Sequence, residues 1–284
     1  MASMTNLDNS DLLFKKAVAL TDEGNHRQAA DLFFALAKNT DNLFQKACML
    51  VYVAHALQQM GDSDSSRNQL ETARNLLHHA SDVALSDADE EWRLSVLIGI
   101  ELQESRMLAD EHKLQEALDK IDVLLDKHRS GLLRAKFAET HQIVRCDRAY
   151  RLADLGRYEE ALKILEEVDS AYEQDRWRLF YLGYCYLCTA NYAQAQLRLK
   201  EAIQAGLPSE GEGRAHCFLG AACYELRDFA TAKLELELGV KTASPTFITK
   251  GKLWGRLRDA CICLGLMAEA EHYASLDKGA SKPS

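Results

Sequence analysis

Apolar residues recur at helical spacing along most of the chain, and residues 145–205 contain the same pattern twice. The first copy reads LADLGRYEEALKILEEV (residues 152–168) and the second reads LCTANYAQAQLRLKEAI (residues 187–203). In each copy a turn is followed by a tyrosine, a small residue and a large apolar residue on one predicted helical face. Every equivalent pair is separated by 34 residues: Tyr158 and Tyr192, Ala161 and Ala195, Leu165 and Leu199, and Ala149 and Gly183.

The small residues of this pattern indicate where two helices cross closely. Ala149 and Gly183 precede the turn, at a position where a larger side chain would push the helices of a pair apart. Gly156 follows the first helix and can adopt a left-handed conformation without a Cβ penalty. Tyr158 then fills the wedge between the helices, and Ala161 is the predicted close contact of the second helix.

Positions equivalent to Ala161 are found throughout the chain. They are separated by 37, 51, 44, 34, 37 and 38 residues: Ala29, Ser66, Ala117, Ala161, Ala195, Ala232 and Ala270. The uneven spacing predicts long helices and inserted turns in the second to fourth units. The seven predicted units cover about residues 10–40, 43–80, 89–128, 132–169, 176–206, 210–243 and 245–276.

A helix pair with these positions, returning after 34 residues, resembles the tetratricopeptide repeat (TPR). The resemblance implies an all-α, right-handed superhelical solenoid of about seven antiparallel helix pairs, because one pair alone cannot bury its apolar faces. We expect residues 10–276 to form a single solenoid, with disordered segments at residues 1–9 and 277–284.

Composition narrows the possible functions. The 284 residues carry a net charge of −9, which disfavours nucleic acid as a partner. No apolar run approaches the roughly 18 residues of a membrane helix, and the first residues lack the apolar segment of a signal sequence. Eight cysteines without a signal sequence indicate a reducing compartment. We therefore expect a cytoplasmic protein with no membrane partner.

Sequence motifs of catalysis are missing from the chain. It contains no glycine-rich phosphate loop, no GxSxG motif and no HExxH motif. Its nine histidines are scattered rather than grouped. The sequence therefore predicts a protein that is not an enzyme and has no cofactor.

The cysteines allow two interpretations. Six of the eight fall in the predicted first helices of units five to seven, among them Cys185 and Cys188 at a spacing of three residues. Zinc sites usually take their thiolates from turns, with a second pair of ligands nearby. We favour cysteine as a small apolar residue at close helix contacts, without a bound metal. A cysteine-based metal or redox module is the alternative.

In the TPR family the first helix of each pair lines a concave groove, so the resemblance implies candidate contact positions. Nine residues form the predicted partner-binding groove: Tyr150, Trp177, Phe180, Tyr181, Tyr184, Arg214, Tyr224, Lys252 and Arg256. Aromatic side chains followed by cations suit a peptide or protein segment, because the rings offer area and the cations bind carboxylates. Alternatively, several of the rings pack between repeats. The residues used by chaperone-tail-binding members of the family are not present together.

These positions predict a non-enzymatic scaffold that binds a peptide or protein segment. The alternative is a regulatory or sensor subunit that binds a small molecule or a signalling peptide. The C-terminal helix is a further candidate surface, for a homodimer or for an acidic partner. The candidates for an uncovered apolar face on this helix are Met267, Ala270, Tyr273 and Ala274. Beside them lie five cations: Lys241, Lys250, Lys252, Arg256 and Arg258. If Tyr273 folds back, this face is small.

Overall fold

A computed structural model describes residues 2–80, 86–129, 137–168, 175–243, 247 and 253–280. These ranges contain fourteen α-helices and no strand. The helices are α1 (Ala2–Asp22), α2 (His26–Lys38), α3 (Leu43–Gln59), α4 (Ser63–Ala80), α5 (Asp87–Asp110), α6 (Leu114–Lys127), α7 (Ala138–Asp154), α8 (Tyr158–Glu166), α9 (Arg176–Cys188), α10 (Tyr192–Gln204), α11 (Ser209–Glu225), α12 (Phe229–Thr242), α13 (Leu253–Cys263) and α14 (Met267–Ala280). The all-α prediction is confirmed.

The terminal helices are longer than the sequence predicted. Helix α1 begins at Ala2, within the segment that we expected to be disordered, because residues 2–10 contain no glycine or proline to interrupt a helix. Helix α14 passes Asp277 and ends at Ala280. None of the helices in the described ranges combines the length and apolar content needed to cross a membrane.

The chain forms two compact units, Met1–Arg151 and Leu152–Ser284. In the second unit, helices α9 and α10, α11 and α12, and α13 and α14 pack as successive pairs. The arrangement of all seven pairs as one continuous solenoid stays a prediction.

One turn geometry joins the first helix to the second in each of the seven pairs. A single residue there has a positive φ between 61° and 80°: Gly24, Gly61, His112, Gly156, Ala190, Arg227 and Gly265. Two backbone hydrogen bonds close each turn. In the fifth pair, Asn191 N–H donates to the Tyr186 carbonyl at 2.8 Å and Ala190 N–H donates to the Leu187 carbonyl at 3.2 Å. This is the Schellman motif, and it includes Gly156 as predicted.

Each left-handed residue lies five positions before a register residue, which packs in the core. Ala29, Ser66, Ala117, Ala161, Ala195 and Ala232 have no exposed surface, and Ala270 is 4% exposed. The serine at position 66 is accommodated because its Oγ donates to the Ala54 carbonyl at 2.8 Å. The irregular spacing of the units therefore leaves the geometry of each turn unchanged.

The predicted close crossing of the fifth pair is confirmed at Gly183. A Cβ atom built there would lie 2.5 Å from Leu199 Cγ, well inside van der Waals contact. Gly220 is in the same relation to Leu236, at 2.6 Å. Small residues at these positions let the apolar second helix approach the first helix directly.

The interior of the first unit also contains a polar chain that links α3 and α5. His55 Nδ1 lies 3.3 Å from Gln103 Oε1, Gln103 Nε2 donates to Gln58, and Gln58 Nε2 donates to Asp110. Burial and, to a lesser extent, the nearby Arg106 lower the pKa of His55 to about 4. His55 is therefore neutral near pH 7.

Arg106 of α5 is neutralised by α7. Its Nη2 donates to Asp147 Oδ2 at 2.6 Å, and the Asp147 side chain is only 5% exposed. This ion pair gives the buried Asp147 carboxylate a partner in the partly exposed Arg106, since a buried charge without a partner is strongly destabilising.

We expect Ala190→Gly to stabilise the protein by about 0.5–1 kcal/mol, because glycine removes the Cβ penalty of a left-handed residue. The matched change Gly156→Ala should cost about 1 kcal/mol, because it introduces that penalty at the same turn position. Chemical denaturation measures both free energies of unfolding. A loss of stability in Ala190→Gly would contradict the assigned turn.

We also expect His55 to make stability depend on pH. Its folded pKa of about 4 lies below the ordinary value of 6.5, so between these values the unfolded chain binds more protons. Stability should fall as the pH falls from 6.5 to 4, by about 2 kcal/mol for this residue. Denaturation of wild type and His55→Gln at both pH values measures the difference. An equal pH dependence in the two proteins would exclude His55 as its source.

Candidate functional site

The first helices of the second unit lie side by side. Helix α11 contacts α9 on one side and α13 on the other, while α10 and α12 also pack against it. Side chains on this layer of first helices, formed by α9, α11 and α13, are therefore brought together from distant parts of the sequence.

Five rings form a continuous cluster on this layer, which we call the aromatic cluster: Trp177, Phe180, Tyr184, Phe218 and Phe247. Phe218 of α11 is its centre. Its ring stacks on Tyr184 of α9 at 4.7 Å between centroids and 18° between planes. It also contacts Phe180 at 5.7 Å and Phe247 at 5.5 Å. The cluster thus joins α9, α11 and the segment before α13.

A second tyrosine supports the stacked pair from behind. The Tyr158 ring meets Tyr184 edge to face at 5.6 Å, and the two hydroxyl oxygens are 3.4 Å apart. Burial raises the pKa of the Tyr184 hydroxyl, which therefore remains protonated. The predicted wedge position of Tyr158 consequently positions a ring of the cluster.

A glycine makes room for the outermost ring. A Cβ atom at Gly211 would lie 2.9 Å from the Trp177 ring, so α11 and the indole approach each other where no side chain intervenes. Trp177 also contacts Phe180 edge to face at 5.8 Å. The indole stays partly exposed at the edge of the cluster.

Arg214 is the charged member of this site. Its guanidinium carbon lies 5.3 Å from the centroid of Phe180 and 5.5 Å from that of Phe247. Such cation–π contacts hold a guanidinium between two rings. Arg214 lies one helical turn before Phe218 on α11, so charge and rings share one face of that helix.

Four of the predicted groove residues meet at this cluster: Trp177, Phe180, Tyr184 and Arg214. Phe180, Tyr181 and Tyr150 are more buried than residues that line an open groove. Trp177, Tyr184 and Arg214 are partly exposed, whereas Phe180 has no exposed surface. Tyr181 is 8% exposed and donates to Asp154 Oδ1 at 3.3 Å. Tyr150, in the first unit, is 9% exposed. Phe180 is covered because α8, α10 and α11 all pack against α9.

Two further groove residues that the structure describes, Tyr224 and Arg256, are not members of the aromatic cluster. Tyr224, near the end of α11, contacts Phe229 edge to face at 5.6 Å. Arg256 of α13 is partly exposed, and Lys252 lies outside the described residues. Phe247 was not predicted from the sequence, because it occupies none of the recurring repeat positions and joins the site only through tertiary contacts.

The C-terminal helix is largely exposed, and Ala270 is the one buried residue among its described side chains. Tyr273 stacks on Trp254 at 6.1 Å and donates to Glu237 Oε1 at 2.6 Å, so it folds back onto the preceding pair. Arg258 is paired with Asp259 at 2.7 Å. Met267 remains 57% exposed. Lys250, also part of the predicted basic stripe, lies outside the described residues.

Six of the cysteines are buried or partly buried, whereas Cys188 and Cys263 are exposed. Within the described ranges, no group of three or more His, Cys, Asp or Glu side chains is arranged to hold a metal. Burial raises the pKa of both Cys185 and Cys217 to about 12. Buried thiols of this kind are poor nucleophiles and poor metal ligands, because both roles need the thiolate.

The first unit has a groove of about 670 Å³ between α4, α5 and α6. Its charged walls are already neutralised by ion pairs. Glu104 accepts from Arg74 at 2.8 Å and from Lys120 at 2.7 Å, and Glu111 pairs with Arg67. A ligand in this groove would have to break existing ion pairs, which makes it a weaker candidate than the aromatic cluster.

No protein-family model matches the chain, and no curated protein matches it in sequence. Solved structures do resemble it. A Rap protein complexed with competence and sporulation factor is 10% identical, with a TM-score of 0.59 over 96% of this chain and 77% of that chain. The Cut9–Hcn1 hetero-tetramer of the APC/C is 13% identical, with a TM-score of 0.57 over 96% of this chain and 56% of that chain.

A third similar structure is a STAND signal-transduction ATPase with a TPR sensor from Pyrococcus horikoshii. It is 13% identical, with a TM-score of 0.54 over 97% of this chain and 43% of that chain. At these identities the likeness concerns the fold. The chain has a TPR-like helical-repeat fold, which confirms the class that the sequence predicted.

We expect the buried thiols to resist alkylation. With a pKa of about 12 instead of 9.0, the thiolate fraction of Cys217 is about a thousandfold lower at pH 8. Iodoacetamide should therefore modify the exposed Cys263 long before Cys217. Mass spectrometry of peptides after timed labelling measures the order. Early modification of Cys217, or zinc retained stoichiometrically through dialysis against a chelator, would contradict this packing role.

Proposed function

We propose that this chain is a non-enzymatic interaction protein whose aromatic cluster binds a peptide or protein segment. The stacked Tyr184–Phe218 pair carries this proposal, because it joins two neighbouring first helices while both rings remain partly exposed. Large rings held rigidly by their neighbours offer contact area at a low cost in side-chain entropy. Phe180 supports these rings from the interior.

Two of the similar structures support a peptide or protein as the class of partner. Of the similar structures, one is a Rap protein complexed with competence and sporulation factor, and another is a hetero-tetramer. We propose that the present chain likewise works by binding. We expect its partner to be a peptide or protein segment, rather than nucleic acid, because the chain carries a net charge of −9.

A sensor subunit that responds to a signalling peptide is the second candidate. One similar structure carries its TPR region as a sensor joined to an ATPase. Both candidates use the same surface, so they differ in what binding changes rather than in where it occurs. Partner docking or self-association through α14 has less support, because Tyr273 already contacts Trp254 and Glu237.

We expect the double change Trp177→Ala and Tyr184→Ala to weaken partner binding by about 2 kcal/mol or more, as for rings at the centre of an interface. The full chain, carrying a photoreactive residue at position 224, first identifies the bound segment by crosslinking and mass spectrometry. Calorimetry with that purified partner then gives the affinity of wild type and variant.

The matched control is Leu234→Ala with Leu238→Ala, which removes apolar surface from α12 at residues 56% and 38% exposed. These changes should leave the affinity unchanged. Thermal melting separates binding from folding. Unfolding of the Trp177 and Tyr184 variant would mean that the rings are core, and unchanged affinity in a folded variant would place the partner elsewhere.

A further inference from the structure

Arg214 differs from the other arginines of the second unit whose contacts are described. The Arg178 Nε donates to the Leu165 carbonyl at 2.9 Å, Arg198 pairs with Glu201 at 2.8 Å, and Arg258 pairs with Asp259. Arg214 contacts the rings of Phe180 and Phe247. Among the residues that the structure describes, no carboxylate or carbonyl oxygen accepts a hydrogen bond from it.

The two ends of this guanidinium have different surroundings. The Nε atom is buried and, within the described part of the chain, has no hydrogen-bond partner. The terminal nitrogens are not buried in this way, and the residue as a whole is partly exposed. Its reactive edge is therefore open to a ligand, while the rings fix its plane.

A guanidinium that is held between two rings in this way favours an oxyanion as its ligand. Removing a charged group from water is costly, and cation–π contacts offset only part of that cost. A planar guanidinium binds a carboxylate through two parallel hydrogen bonds, which are about twice as strong as neutral ones. Because Phe180 and Phe247 already hold the side chain, little further entropy is lost on binding.

We propose that Arg214 binds a carboxylate of the docked segment, an inference that rests on the proposed function. Within the described residues the site offers one cation, which matches a carboxylate of charge −1. A phosphate of charge about −2 at neutral pH would keep unneutralised charge beside apolar rings. The neighbouring Trp177 and Phe218 then contact apolar residues next to the acidic group.

Nuclear magnetic resonance of the full chain labelled with ¹⁵N-arginine tests this directly. The Nε–H signal of Arg214 is assigned by its loss in Arg214→Lys. The probes are N-acetyl-Glu-Phe-amide, its twin N-acetyl-Gln-Phe-amide, N-acetyl-phenylalanine with a free carboxylate, and inorganic phosphate. We expect saturable shifts with the carboxylate probes and none with the glutamine twin.

The stronger of the two carboxylate probes tells whether a side-chain or a C-terminal carboxylate is preferred, and either preference supports the proposal. No shift with either of them would overturn it. Phosphate binding about tenfold tighter than both would also overturn it, since tenfold is the smallest preference expected of a charged hydrogen bond made correctly.

Variants provide a second measurement through the Trp177 indole signal. Arg214→Gln should weaken binding of the better carboxylate probe about tenfold or more, as expected for a lost charged hydrogen bond. Arg198→Gln, which removes a charge from α10, should not change it. Preserved dispersion of the indole signals shows that the variants are folded. If Arg214→Gln and Arg198→Gln weaken probe binding equally, the effect comes from the overall charge of the chain, and the proposal is wrong.

The two proposals can fail separately. If the crosslinked partner binds Arg214→Gln as tightly as wild type but loses affinity for the Trp177 and Tyr184 variant, the carboxylate inference is wrong and the proposed function stands. If the ring variant binds the partner normally, the proposed function is wrong whatever the small probes do.

Discussion

The structure depends on the turn between the two helices of each pair. A left-handed residue ends the first helix, and five residues later a small buried residue meets that helix again. The turn fixes the direction of the second helix, and the small residue permits the close approach. Helices as different in length as α5 with 24 residues and α8 with 9 residues are joined by this one geometry. Stability of the pairs therefore depends on backbone conformation as much as on apolar area.

The fold was predictable from the recurring spacing of positions equivalent to Ala161, more than from the residue types at the turns. The positions of Ala161 and Gly156 are recognisable, but His112, Ala190 and Arg227 adopt the same left-handed conformation without being glycine. A non-glycine residue there costs roughly 1–2 kcal/mol, which the packing of the following helix offsets. The conformational preferences of these three residues do not predict a left-handed turn, because the tertiary contacts of the following helix override them. The same limit applies at the chain ends, where α1 starts earlier than its polar sequence indicated.

The site was only partly predictable, for a related reason. Positions on the first helices indicated Trp177, Tyr184 and Arg214, which do come together. The sequence did not distinguish Phe180, which is fully covered, from its exposed neighbours, because α9 is apolar on several faces. Phe247, which follows α12 and precedes α13 in the sequence, completes the site without occupying a register position. Burial in a stacked repeat depends on the neighbouring pairs, and this information is absent from any one pair.

The surroundings of two arginines differ in a way that matters for binding. In the first unit, Arg106 is paired with Asp147, and the polar chain of His55 is hydrogen-bonded along its length. In the second unit, Arg214 contacts two rings, and no carboxylate or carbonyl oxygen of the described residues accepts a hydrogen bond from it. A folded chain retains such a group at a cost, and a ligand that supplies oxygens to its partly exposed edge recovers part of that cost. The contrast between Arg106 and Arg214 therefore favours the aromatic cluster as a place where binding energy is available.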